Sequence, residues 1–267
     1  MRNYWDYIKT EQLLSLQGGF DNDESALAND EVVFIVVHQV YELWFKLILR
    51  ELETARNVFR QNPVPDIELA NAARSLRRVV SLFEQAIPHF RVMETLTTRD
   101  YLGFRDRLIP ASGFQSAQLR EIEVLLGLED TMRLPMGREG SFMKALESSD
   151  GSPSPSLARV KQRMDSGPSL KALLYEWLSR TPIDGPATLE SAERFSRSFI
   201  RAHEEEIKNR IELAKQNALT PDDITRLEER YRAETQFAEK FLMAEDEPEI
   251  DEESRRFRRR VRAAIVF

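Results

Sequence analysis

The sequence contains no cysteine. That absence excludes disulfides, thiolate zinc sites, iron–sulfur clusters and cysteine nucleophiles together, and it suits a reducing, cytoplasmic setting. Histidine is scarce as well. His38, His89 and His203 are the whole supply among 267 residues, so every imidazole ligand or acid–base role must come from three positions. Glycine numbers only 10, and strand-like alternation is hard to find. No Gly-rich phosphate loop, Ser-His-Asp grouping or carboxylate cluster with metal-binding spacing occurs. No stretch approaches the roughly 20 apolar residues of a membrane span. The opening Met1-Arg2-Asn3-Tyr4-Trp5 lacks the basic-then-apolar pattern of a secretory leader. Positive charge is not in excess: 38 basic against 45 acidic residues give a net of -7, which argues against a nucleic-acid partner.

What remains is rich in Leu, Ala, Glu, Arg and Gln at helical spacing, and the reading is an all-α protein forming a single domain over 1–267. The segment from about Ser25 to Arg60 has neither Gly nor Pro and would run about 50 Å as one helix. Phe34, His38, Tyr41 and Phe45 share one face of it, while Val36, Val40, Leu43 and Leu47 cover others. A helix apolar nearly all round is expected to be central. A second long helix is expected from Pro65 to Ala86, ended or kinked by Pro88. A short one runs from Thr98 to Leu108, and Ser112 with Gln115 forms a capping box for the next. Residues 147–156 read as a mobile loop. Further helices are expected over 157–164, 169–179 and 188–216, and after Thr220-Pro221. The tail, 244–267, holds seven acids between Glu245 and Glu253, then six Arg between Arg255 and Arg262, and reads as a solvated, self-neutralising segment.

Three spots carry possible chemistry. His38 lies between Phe34 and Tyr41, so the imidazole sits in an aromatic wall suited to a flat apolar ligand; such a stripe also serves as plain core. Tyr101 and Arg105 are four apart and project together, a pairing suited to a carboxylate, although Arg105 could instead pair with Asp106 or Glu94. His203 stands among Glu204, Glu205 and Glu206, as a solvated surface residue or a metal ligand.

The run Phe34-Ile35-Val36-Val37-His38-Gln39-Val40-Tyr41-Glu42-Leu43-Trp44-Phe45-Lys46 resembles the F-I-x-x-H-Q-x-x-E-L-W-x-K helix of the tryptophan 2,3-dioxygenase family. Glu94-Thr95-Leu96-Thr97, then Tyr101 to Asp106, then Pro110 to Ser116, resemble its E-T-x-T…F-R…SGFQS block. Tyr4 and Tyr7 resemble its N-terminal Y-x-x-Y, and Glu234-Thr235-Gln236-Phe237 gives a fainter fourth match. The resemblance implies a helical bundle of that family's type with long central helices. It implies haem b as cofactor, a homotetramer, and insertion of O2 across the indole C2–C3 bond of L-tryptophan to give N-formylkynurenine. It makes His38 the distal histidine, Phe34 a wall for the indole, and Arg105, helped by Tyr101, the carboxylate site. Ser112 would lie by the haem and substrate. Tyr4 and Tyr7, within an N-terminal segment 1–24, would reach a neighbouring subunit's pocket.

Two family features are missing. The proximal histidine of W-R-x-x-H and the GTGGSSG loop have no counterpart here. Gapless alignment after Phe237 puts Ala244 at the ligand position; treating the acidic run as an insertion puts Arg259 there, and a protonated Arg cannot ligate iron. Three explanations stand side by side: a C-terminal truncation, a relocated ligand, for which His203 is the candidate, or a relative that has lost the usual chemistry. A diverged haem monooxygenase on another aromatic amino acid, or a haem-free relative that binds an indole amino acid, are the competing readings.

Overall fold

The structure, a computed structural model, describes residues 3–108, 116–129, 146, 154–216 and 220–267. Helices and short 3-10 turns make up its regular structure, with no strand among the described residues. The chain packs as two compact units, 1–171 and 172–267.

In the first unit, α1 (Tyr4–Ile8) and α2 (Thr10–Leu13) lead through a loop to α3 (Asn29–Phe59). Asp30 and Glu31 in the first turn of α3 offset the positive end of its dipole. Its second half is the core of the unit: Ile48, Leu52 and Ala55 are fully enclosed. α4 (Asp66–His89) packs along it, and Pro88 is taken into the last turn of α4, where it ends the helix without breaking it earlier. α5 (Thr98–Phe104) passes into a 3-10 turn, Arg105–Leu108. α6 (Ala117–Leu126) and α7 (Pro155–Met164) meet through Ala117, Leu157 and Val160.

Two expectations need correction here. Residues 154–156 are not loop: Ser154 caps α7, its Oγ accepting from Leu157 N at 3.0 Å, and Pro155 takes the first helical position, where its missing N–H costs nothing. The remainder of 147–156 lies outside the described residues. The first half of α3 is enclosed only in part, at Glu31 and Val37. His38 is exposed, and so are Val36, Leu43 and Leu47. α3 is in fact long and apolar enough to cross a membrane by length and composition, and only 17% of its most apolar stretch is buried. Core helices pass that test too, but this one leaves much of its apolar surface bare within the chain.

The second unit comprises most of α8 (Leu170–Arg180), with α9 (Leu189–Gln216), α10 (Pro221–Met243) and α11 (Glu252–Val266). Thr220 caps α10 through Asp223 N, as its Thr-Pro start implied. The tail departs from a solvated reading. α11 is a helix with Val261 and Ala263 fully enclosed, and Ala263 packs on Ile183 and Ala192. Its arginines are used internally. Arg262 pairs with Asp246 and Glu247 and lies 4.7 Å over the Phe241 ring; Arg259 binds Glu193 at 2.9 Å. The acidic run thus neutralises the basic one by folding onto it, leaving little free positive charge for another macromolecule.

Burial raises the Asp246 pKa, but the hydrogen bond and charge of Arg262 outweigh it and hold the carboxyl below its ordinary value. A folded value below the unfolded one gives stability that is complete above the ordinary carboxylate range, near pH 4, and is lost as pH falls through the folded value. Denaturant midpoints should therefore drop between about pH 5 and pH 3, and Asp246→Asn should flatten that drop. An unchanged pH slope in the variant would show that the Asp246–Arg262 clamp does not contribute.

Candidate active site

α3 places Phe34 and His38 one turn apart, with ring centroids at 4.1 Å. His38 Nδ1 lies 2.7 Å from the Phe34 carbonyl oxygen. A carbonyl can only accept, so Nδ1 carries the proton in the neutral ring and Nε2 is left as an acceptor toward solvent. α5 closes the wall from a second side. Thr97 caps it, Oγ1 accepting from Asp100 N at 3.2 Å, and fixes how the helix presents its rings. Phe104, nearly enclosed, sits 5.4 Å from Phe34 and 5.6 Å from Tyr101, and Tyr101 sits 6.3 Å from Phe34. Four aromatic or imidazole rings thus form one surface built from two helices.

Arg105 follows directly on this surface. It is exposed, and its guanidinium forms no ion pair or hydrogen bond with a described residue, so neither Asp106 nor Glu94 occupies it. Arg107, two residues on, is engaged by an acid distant in sequence, Nη1 lying 3.2 Å from Glu31 Oε2. Sequence spacing had no means of separating these two arginines. Phe34 also lines a cavity of about 400 Å³ walled by Leu16, Phe20, Leu27, Ile35 and Leu108, with Glu31 and Arg107 at its edge. His38, Tyr101 and Arg105 are not among its walls.

Ser112 lies outside the described residues. The cap of α6 is Ser116, whose Oγ accepts from Leu119 N at 3.1 Å, so Ser116 holds the start of the next described helix that Ser112 was expected to open. Tyr4 and Tyr7 stand on α1 with 65% and 87% of their surface exposed, and the one ring contact between them and the described residues is Tyr4 with Trp5. They are not brought to the wall of their own chain. His203, on α9 in the second unit, stacks flat on Phe199 with an interplanar angle of 7° and is half-buried.

Two contributions escaped the sequence reading. Gln39, next to His38, donates to Leu16 O at 2.8 Å and accepts from Gln17 Nε2 at 2.7 Å, which ties the end of the N-terminal arm to the helix bearing His38. Tyr41 donates to Ala86 O at 2.9 Å, and its ring and that of Trp44 each meet His89 edge-on at 5.2 Å. Burial pushes the Tyr41 hydroxyl pKa up. Both contacts join residues far apart in sequence, so no local pattern signals them.

The sequence pattern described as tryptophan 2,3-dioxygenase matches residues 1–266. The chain belongs to the tryptophan 2,3-dioxygenase family. It is 65% identical over 265 residues to the tryptophan 2,3-dioxygenase of Sorangium cellulosum, covering 99% of this chain and 64% of that protein. It is 54% identical over 265 residues to tryptophan 2,3-dioxygenase 2 of Ralstonia nicotianae, covering 99% of this chain and 72% of the relative. A tryptophan 2,3-dioxygenase-like protein of Xanthomonas campestris is 48% identical over 172 residues, 64% of this chain and 63% of that one. The chain thus spans less than two thirds of the Sorangium relative.

Whether these residues suit the family's haem divides by face. The distal side fits: an apolar aromatic wall with an open imidazole nitrogen. The expected proximal positions do not. Ala244 is an enclosed helix stop with φ +53°, and the Arg259 guanidinium is held by Met243 O at 3.0 Å as well as by Glu193. His89 offers no alternative, because its Nε2 is enclosed without a partner beside Tyr41 and Trp44.

Replacing Gln39 with Ala removes both bonds that hold Leu16 and Gln17. Amide hydrogens around residues 13–17 should then exchange about tenfold faster, the equivalent of roughly one hydrogen bond, with 172–267 unaffected. Unchanged exchange at 13–17 would mean that the arm is held by something other than Gln39.

Proposed function

We propose that this chain acts in tryptophan 2,3-dioxygenation, taking L-tryptophan or a close indole amino acid to the N-formylkynurenine product. The observation that carries the reading is the Phe34–His38–Tyr101–Phe104 wall, with Arg105 next in sequence to Phe104 and its guanidinium unpaired among the described residues. In it the indole lies against Phe34, and His38 Nε2 accepts from the indole N–H. That acceptor role is available because Nδ1 is already committed to the Phe34 carbonyl. Arg105 takes the carboxylate by charge-assisted hydrogen bonds, with Tyr101 beside it. The rings exclude water from one face of the substrate, which strengthens both polar contacts.

Haem b, when bound, supplies the iron that activates O2. Among the three histidines of this sequence, His203 is the candidate for its protein ligand. Tyr4, Tyr7 and the bare half of α3 support a homo-oligomer, a tetramer in this reading, in which the N-terminal arm completes a neighbour's pocket. The lack of cysteine supports a cytoplasmic location. A second reading, a haem-free binder of an indole amino acid, is favoured by the engaged Arg259 and buried Ala244.

Haem addition to the purified protein separates the two. A Soret band that disappears in His203→Ala supports the oxygenase with a relocated ligand; absence of any band supports the binder. In either case Arg105→Ala should weaken L-tryptophan binding about tenfold or more, roughly 1.4 kcal/mol, while leaving the fold intact. Unaltered affinity would remove Arg105 from the site. His38→Ala should lower turnover of the haem-loaded protein more than its haem content.

A further inference from the structure

At the far end of α3 from His38, two guanidiniums form no ion pair with a described residue. Arg56 is 6% exposed, and among the described residues no carboxylate lies within ion-pairing distance of it or of Arg60. Both arginines, one turn apart, converge on one residue: Arg56 Nη1 donates to Ser166 Oγ at 2.9 Å and Arg60 Nη2 to Ser166 O at 2.7 Å. Arg56 Nε is enclosed with no partner. Burial lowers the Arg56 pKa, and the positive charges of Arg60 and Arg163 lower it further against the pull of Glu53. Glu53 itself is engaged by Arg163, which also binds Glu121.

Helix ends supply part of the missing negative charge. The C-termini of α3 and α7 both finish here, each worth about half an elementary charge. Two half charges fall short of two whole ones, and a buried charge without compensation is costly. Gly167, directly after Ser166, has φ +104°, and a Cβ there would stand 3.0 Å from Arg60 Nη2. Glycine therefore lets the Arg60 guanidinium pack close against this turn.

We infer that Arg56, Arg60 and Ser166 form a binding site for a small oxyanion, of phosphate or carboxylate chemistry, remote from the aromatic wall on α3. The anion meets the exposed guanidinium of Arg60 first and balances the enclosed charge of Arg56 behind it. Ser166 aligns both side chains by accepting from each. The site is independent of tryptophan chemistry and stabilises the folded chain through binding to it alone.

Thermal unfolding of the full chain, titrated separately with inorganic phosphate and with acetate at an ionic strength fixed by chloride, tests this. Arg60→Gln is the variant of choice because Arg60 is exposed and its loss leaves the core untouched; Arg56→Gln risks misfolding. The wild-type Tm should rise saturably by roughly 3–6 °C at ten times the dissociation constant. Saturation by phosphate identifies a phosphate-type ligand, and saturation by acetate alone a carboxylate. In Arg60→Gln the apparent affinity should fall at least about tenfold. No saturable rise with either anion, or an equal rise in Arg60→Gln, overturns the inference.

Discussion

One helix in two environments is the constraint on which the first unit rests. α3 is apolar along most of its length, yet its burial is concentrated in the second half, where Ile48, Leu52, Ala55, Val58 and Phe59 build the core. Burying each such side chain is worth about 1.5–3 kcal/mol, so this half fixes the helix in place. The first half can then stay open and still hold Phe34 and His38 to one geometry, because the same rigid rod continues through both. α5 is brought against it by Phe104, and the arm by Gln39 and Gln17.

The half-open character of α3 explains how an apolar wall can face outward without collapsing. Large exposed apolar surfaces in soluble proteins mark sites that something else covers. Among the described residues, the Val36–Leu47 side of α3 and the arm with Tyr4, Trp5 and Tyr7 expose such apolar side chains. A cofactor, a substrate and a neighbouring copy are the coverings that the family reading supplies, and each suits the apolar chemistry on display.

Much of this was legible from residue patterns. α3, α4, α7, α8 and α9 fall within a few residues of where breakers and apolar spacing put them, since Pro, Gly and Ser/Thr caps act locally. The depth of α3 was not legible. Its all-round apolar composition implied a central helix, but composition records what a surface prefers and not whether the same chain provides a cover. The tail misled for a related reason. Opposed charge runs suggested a solvated segment, whereas Val261 and Ala263, spaced two apart amid arginines, turned out to anchor a packed helix. For the site, Phe34, His38 and Tyr101 followed from spacing and resemblance. That Arg105 is unpaired among the described residues while Arg107 binds Glu31, across 76 residues, was not legible from spacing.

The central claim is that the wall at Phe34 and His38 and the charge at Arg105 grip the two ends of one indole amino acid. Equilibrium binding of L-tryptophan, indole-3-propionate and tryptamine to the unmodified chain tests it most directly. Tryptamine, which keeps the ring but lacks the carboxylate, should bind at least about tenfold more weakly than indole-3-propionate. Equal or tighter binding of tryptamine would contradict the account.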